Sequence, residues 1–168
     1  MAENWQVFWD KPVETLTSAA LRDLQMKRLR DTLRPAARTP FYRERLQEAG
    51  LSADSLPRLE DLRRLPLTTK EDLRARGQEM LAPPLSHMVR LHASSGTTGQ
   101  ATVIYYTRKD LAVWADLVAR SLYMTGLRPG DVFQNMMGYG LFTGGLGFHY
   151  GAERLGPLTI FAGVGNSR

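Results

Sequence analysis

The chain has no cysteine, which excludes a disulfide framework, a thiolate metal site and a cysteine nucleophile. Of its three histidines, His87 and His92 are isolated in sequence and poor in partners, so no metal site is expected. No apolar run approaches the ~20 residues that a membrane-spanning helix needs. The start, Met1-Ala2-Glu3-Asn4-Trp5-Gln6, carries an early acid and lacks the basic-then-apolar order of a secretory signal. Cytoplasm is therefore the expected location. There is no internal repeat and no low-complexity tract. The net charge of +5 is not gathered into a patch. Lys27-Arg28-Leu29-Arg30 and Arg63-Arg64 alternate with acids on predicted helices, which suits a solvated helical surface better than a nucleic-acid groove. Neither a nucleic acid nor a membrane is an expected partner.

What remains is the composition of an ordinary soluble globular protein, 43% hydrophobic and 23% charged. A chain of 168 residues is long enough to bury one sizeable core. Residues 1–87 read as mainly helical. Leu21, Leu24, Leu29 and Leu33 mark a helical stripe from Thr17 to Arg34, which Pro35 should stop or kink. A shorter helix follows Pro40 and ends at Gly50. Thr69-x-x-Asp72 is a variant capping box for another. Pro83-Pro84 closes this region.

Residues 88–168 alternate strand and helix. Strands are predicted at Met88–Ala93 and Ala101–Tyr106. Thr107 can cap a helix with Asp110 reaching back, its buried face made by Leu111, Trp114, Leu117 or Val118, and Leu122. Gly126 serves as its C-cap. A strand near Val132–Met136, a helix near Gly145–Leu155 and a strand at Leu158–Ala162 complete a β-α-β-α-β run. The expected fold class is α/β. Trp5 and Trp9 are expected to dock the amino terminus onto the body.

Between the first two strands lies Ser94-Ser95-Gly96-Thr97-Thr98-Gly99. Four hydroxyls and two glycines, without charge, can aim side-chain and backbone donors into one concavity that suits phosphate oxygens. It is not a Walker loop, because the Gly-Lys-Ser/Thr ending is absent and no helix begins at once. Taken alone, the stretch also fits an ordinary polar hairpin loop. It is long for a tight hairpin, however, and lacks the Asn-Gly or Asp-Gly pair of a two-residue turn. A second cluster, Gly138–Gly151, holds six glycines among Tyr139, Phe142, Phe148 and Tyr150. Glycine lets backbone approach a ligand and aromatics supply flat walls, which suits a planar carboxylic acid. The competing reading is helix packing through Gly140-x-x-x-Gly144 and Gly147-x-x-x-Gly151, and packing is preferred for Gly151. His149 reads as a core residue or a substrate contact. No Ser-His-Asp set is legible and the loop serines lack a nucleophile elbow, so no catalytic residue is assigned.

Leu91-His92-Ala93-Ser94-Ser95-Gly96-Thr97-Thr98-Gly99 resembles the phosphate loop of the phenylacetate–coenzyme A ligases, a branch of the adenylate-forming enzymes. Leu65-Pro66-Leu67-Thr68-Thr69-Lys70-Glu71-Asp72-Leu73 is similar to that family's upstream linker and helix. Tyr139-Gly140-Leu141-Phe142-Thr143-Gly144-Gly145-Leu146-Gly147 resembles its acyl-pocket segment, continuing into His149-Tyr150-Gly151-Ala152-Glu153-Arg154. The similarity runs from Phe41-Tyr42-Arg43 to Gly163. It implies part of the large domain of an adenylate-forming enzyme, with residues 88–168 forming an incomplete α/β segment. It also implies an ATP-dependent ligase that makes an acyl-adenylate from an aromatic acid and passes it to coenzyme A.

By that resemblance Ser94, Ser95, Gly96, Thr97, Thr98 and Gly99 hold ATP phosphates, while Tyr139, Gly140, Phe142 and Phe148 bind the acid. Mg2+ would travel with ATP. Gln100-Ala101 stands where the family usually has Lys-Pro, Met137 where an aromatic is common, and Phe148 where a small residue is usual. The family's acidic ribose-binding motif, hinge and catalytic lysine are not in this sequence. The chain is thus expected to be an amino-terminal segment, inactive by itself. The cut sheet leaves self-association to a homodimer open. The alternative is a non-catalytic nucleotide- or anion-binding module.

Overall fold

A computed structural model of the chain describes residues 6–52, 54, 58–94, 101–141 and 143–165. Two compact units emerge: Pro12–Leu85, and Ser86–Arg168 together with Met1–Lys11. A single turn, α1 (Lys11–Glu14), lies where the first residues pass from one to the other.

The Pro12–Leu85 unit is built on α2 (Ser18–Ala36), α3 (Pro40–Glu48) and α4 (Lys70–Arg76), with 3-10 turns at Leu59–Arg64 and Gly77–Met80. Each helix starts where a hydroxyl can accept an otherwise orphaned N–H: Thr17 from Ala20, Thr39 from Tyr42 and Thr69 from Asp72. Pro35 does not stop α2. The helix ends one residue later, at Ala36, because a proline in the last turn forfeits only one bond of a ladder that is already ending. Gly50 adopts φ +59°, the left-handed turn that closes α3, and Leu51 N–H returns to Leu46 O at 2.9 Å.

The core of this unit is Leu33, Leu46 and Leu51, with Met26, Leu29 and Leu65 against it. Leu21, expected on the buried stripe, is exposed. Here the apolar face turns toward Met26, so the stripe is narrower than the leucine spacing suggested. Phe41 is fully buried, with the guanidinium groups of Arg45 and Arg76 at 4.5 and 5.0 Å from its ring centroid.

The second unit carries the strands. β1 (Met88–Ser94) and β2 (Thr102–Thr107) form an antiparallel pair whose last partners are Ser94 and Thr102. α5 (Arg108–Met124) follows directly, its start fixed by a full capping box between Thr107 and Asp110. β3 (Val132–Asn135), α6 (Thr143–Leu155) and β4 (Leu158–Phe161) make a β-α-β unit with β3 and β4 parallel. The α/β reading of this part holds. Its strands form two separate pairs, one antiparallel and one parallel, among the described residues.

α5 and α6 pack face to face, burying Ala119 and Ala152 completely, with Leu122, Tyr123 and Leu155 around them. Small residues permit this approach. A Cβ on Gly147 would sit 2.8 Å from Trp114 Cζ2, and one on Gly151 would sit 2.6 Å from Val118 Cβ. The packing reading of Gly147-x-x-x-Gly151 is therefore correct for both glycines. Leu117 is exposed, and Val118 is the one that packs, half-buried, against this core. Trp9 docks as expected, its ring 5.7 Å from Tyr123, and the Tyr123 hydroxyl donates to Gln6 O. Trp5 lies outside the described residues. Among those residues, no helix is long and apolar enough to cross a membrane.

Candidate functional site

In sequence the Ser94–Gly99 stretch falls between β1 and β2. Ser94 ends β1, half-buried, opposite Thr102. Ser95, Gly96, Thr97, Thr98 and Gly99 lie outside the described residues. Thr102 is 6% exposed, and its hydroxyl finds no partner among the described residues. A buried hydroxyl at the loop's stem is thus left open for a hydrogen bond. Reading of the sequence missed it, since Thr102 looks like any β-branched strand residue.

Just below the loop, His92 is 2% exposed. Its ring stands edge-on to Tyr106 (5.5 Å, 82°) and Trp114 (5.3 Å, 84°), which themselves stack at 5.4 Å. Its Nδ1 lies 3.0 Å from Leu141 O. A carbonyl can only accept, so Nδ1 carries the proton and donates. Ala93 N–H donates to the same oxygen at 3.0 Å. The loop's stem is in this way fastened to the glycine-rich segment 49 residues downstream. Burial, reinforced by the Asp110 carboxylate, pushes the Tyr106 phenol upward from its usual range, so this wall stays uncharged.

The glycine-rich segment is organised by a residue that no motif singled out. Asn135 closes β3 and is 2% exposed. Its amide donates to Tyr139 Oη at 3.0 Å and to Gly145 O at 2.9 Å, and its Oδ1 accepts from Met137 N–H at 3.1 Å. Its backbone carbonyl also accepts from Ala162 and Gly163, at 3.1 and 3.2 Å. One side chain therefore shapes the turn between β3 and α6, while its main chain ties that turn to the end of β4. Gly145 is buried beneath it, where a Cβ would meet the carbonyl carbon of Gly138 at 3.0 Å.

Of the residues expected to bind an acid, Tyr139 is part-exposed, with its hydroxyl held by Asn135. Its ring is edge-on to His149 (5.8 Å) and Phe161 (6.5 Å). Gly140 is exposed, and nothing lies within 4 Å of where its Cβ would be; close packing therefore does not account for glycine at that position. Phe142 lies outside the described residues. Phe148 is 39% exposed on α6, its ring 6.4 Å from Phe133. Tyr139 thus follows β3 and Phe148 lies on α6, while His149 joins the Tyr139–Phe161 cluster. His149 Nε2 is 3.5 Å from Glu153 Oε1. Arg90 of β1 lays its guanidinium over the Tyr150 ring at 4.4 Å. Among the described residues, no group of three His, Cys, Asp or Glu side chains gathers where it could hold a metal.

The end of β1 is thus joined to a part-open aromatic and glycine surface through one shared carbonyl, Leu141 O. The chain matches no family model. It is 52% identical over 151 residues, 89% of its length, to a phenylacetate-coenzyme A ligase of Pseudomonas putida. It is 49% identical, over the same share, to one of Escherichia coli (strain K12). It spans 34% and 35% of those two proteins, about a third of the curated relatives' length. Among solved structures, 2-hydroxyisobutyryl-CoA ligase in complex with 2-HIB-AMP is similar over 98% of this chain, with a TM-score of 0.87 and 29% identity. The chain covers 36% of that structure. An open conformation of the same ligase, bound to 2-HIB-AMP and CoA, is similar to the same degree.

Proposed function

We propose, from its 52% and 49% identity to two phenylacetate-coenzyme A ligases over 89% of its length, that this chain belongs to that family and carries the phosphate loop and acid-binding surface of an ATP-dependent aromatic acid–coenzyme A ligase. A carboxylate oxygen attacks the α-phosphorus of ATP, the bond between α- and β-phosphate breaks, and pyrophosphate leaves. The thiolate of coenzyme A then attacks the acyl carbon and AMP leaves. The protein's part is to position reactants and to place donors where charge develops. Ser94, Ser95, Thr97 and Thr98 donate to the phosphate oxygens, and Gly96 and Gly99 let the backbone follow them. Tyr139, Gly140, Phe142 and Phe148 receive the aromatic ring. Mg2+ would accompany ATP as its counter-ion and supply charge neutralisation at the phosphates. Such an enzyme works on soluble reactants, which is consistent with a cytoplasmic protein.

One observation supports this reading. His92 and Ala93, which immediately precede the hydroxyl-rich stretch in sequence, are bonded to Leu141 of the glycine-aromatic segment. The experiment is calorimetric titration of the chain with ATP, and separately with phenylacetate. Binding of both is expected, and Thr97→Ala with Thr98→Ala should weaken ATP binding while sparing phenylacetate. Unaltered ATP binding in the doubly substituted chain would overturn the loop assignment.

A further inference from the structure

Two buried polar atoms of the β1–β2 pair have no partner among the described residues, His92 Nε2 and Thr102 Oγ1. The register puts them on one face. His92 pairs with Ile104 and Ser94 with Thr102, and side chains two apart on a strand, or opposite one another across a ladder, point the same way. His92, Ser94 and Thr102 are therefore three corners of one small patch, and Ile104 is the fourth. The patch is closed off from bulk solvent. His92 is 2% and Thr102 6% exposed, Ser94 is half-buried, and the Tyr106 and Trp114 rings stand edge-on to the imidazole. Each orphan atom has a defined requirement. Nδ1–H donates to Leu141 O, so Nε2 of an uncharged ring can only accept and calls for a donor. The Thr102 hydroxyl can donate and accept. The two residues are diagonal in the ladder, where Cβ atoms lie roughly 7–8 Å apart, a separation that one small molecule can span with a hydrogen bond on either side.

We propose that this face of the β1–β2 pair is a binding site for one internal water molecule, which donates to His92 Nε2 and bonds to the Thr102 hydroxyl, with the Ser94 hydroxyl as a third partner. Water suits the set because it both donates and accepts, and because internal waters typically make about three hydrogen bonds. A bare acceptor at Nε2 repels an anion, and the set holds no carboxylate to fix a metal ion. The site needs neither ATP nor an acid to be occupied. It belongs to the fold, and it explains how two polar atoms stay buried side by side where native interiors rarely leave one unbonded.

The sign of one near-isosteric substitution tests it, on the whole 168-residue chain. Thr102→Val exchanges the hydroxyl for a methyl group. An orphan hydroxyl would be relieved by that exchange, and the denaturant midpoint would rise or stay. A hydroxyl that holds a water is missed, so the midpoint should fall, with the unfolding equilibrium constant raised about fivefold or more. His92→Phe should lower the midpoint as well, since it removes Nε2 along with the Leu141 bond. One water serves both groups, so the double variant should lose less than the product of the single effects, by at least about twofold in that constant. A midpoint that rises or stays in Thr102→Val overturns the proposal, and so do single effects that multiply independently. The wild-type chain gives a readout that needs no variant. Water-selective NMR should show cross-relaxation, with the sign of a long-lived bound molecule, to the His92 ring proton beside Nε2 and to the Thr102 methyl group. Absence of that signal overturns the proposal even where a variant fails to fold.

Discussion

Asn135 and the glycines around it show how much a single buried atom can decide. Asn135→Ala would leave Met137 N–H, Tyr139 Oη and Gly145 O without their partner. A cost of about 1–3 kcal/mol is expected, read as a fall in the denaturant midpoint. Gly151→Ala forces a methyl group against the stiff Val118 side chain, and should destabilise by about 1–3 kcal/mol. Gly140→Ala meets nothing, and should change stability by under about 0.5 kcal/mol. Any loss of phenylacetate binding in Gly140→Ala is then a binding effect, and unaltered binding removes Gly140 from the acid site. Phe148 supplies a specificity test, since its ring is part-exposed beside Phe133. Phe148→Ala should move preference toward bulkier aryl acids, because each methylene of pocket space is worth roughly 1–3 kcal/mol of discrimination. An unchanged ranking across a graded acid series would leave Phe148 as a packing residue only.

At the scale of elements, α4 is held by local and tertiary bonds at once. Asp72 Oδ2 accepts from Thr69 N–H at 2.8 Å and from the Thr69 hydroxyl, and pairs with Arg45 at 3.0 Å. The Thr69 backbone bond, with help from Arg45, holds the Asp72 carboxyl below its usual range. Hydrogen bonds and ion pairs from Arg76 do the same for Glu79. A depressed folded-state pKa favours the fold above the unfolded value and loses that advantage as pH falls through the folded one. Stability of the Pro12–Leu85 unit should therefore decline below about pH 4. Asp72→Asn should flatten that decline, checked by denaturant midpoints between pH 3 and 6. An equally steep profile in the variant would show that α4 contributes nothing to acid sensitivity.

For the whole molecule, the chain's span of about a third of its relatives sets the expectation for activity. Binding without turnover is expected of these 168 residues, since the ribose-binding and catalytic-lysine motifs of the resemblance are not among them. Purified chain with ATP, aryl acids and coenzyme A should give no acid-dependent AMP release, and turnover would overturn that assignment. β3 and β4 pair only with each other among the described residues, and Val132, Leu158, Ile160 and Phe161 remain exposed. Open strand edges with apolar faces invite pairing. Sedimentation should show a mass that rises with concentration, and a constant monomer mass would reject self-association.

Features set by neighbouring residues were legible in the sequence, because their physics is complete within one helical turn. The capping boxes at Thr69 and Thr107, the left-handed stop at Gly50 and the order of strands and helices are of this kind. What spacing could not supply was which distant groups meet. His92 reads as an alternating strand residue until Leu141 O arrives from 49 residues away. Asn135 reads as a strand end until its amide finds Tyr139 and Gly145. Leu117 and Leu21 lie on apolar stripes yet remain exposed, because burial depends on the partner face and not on periodicity alone. Buried polar atoms must find partners wherever the fold brings them. The tertiary structure therefore decided which distant groups tie β1 to Leu141 and Asn135 to the turn after β3, and the sequence by itself determined the caps, the turns and the order of the elements, because those depend on neighbours alone.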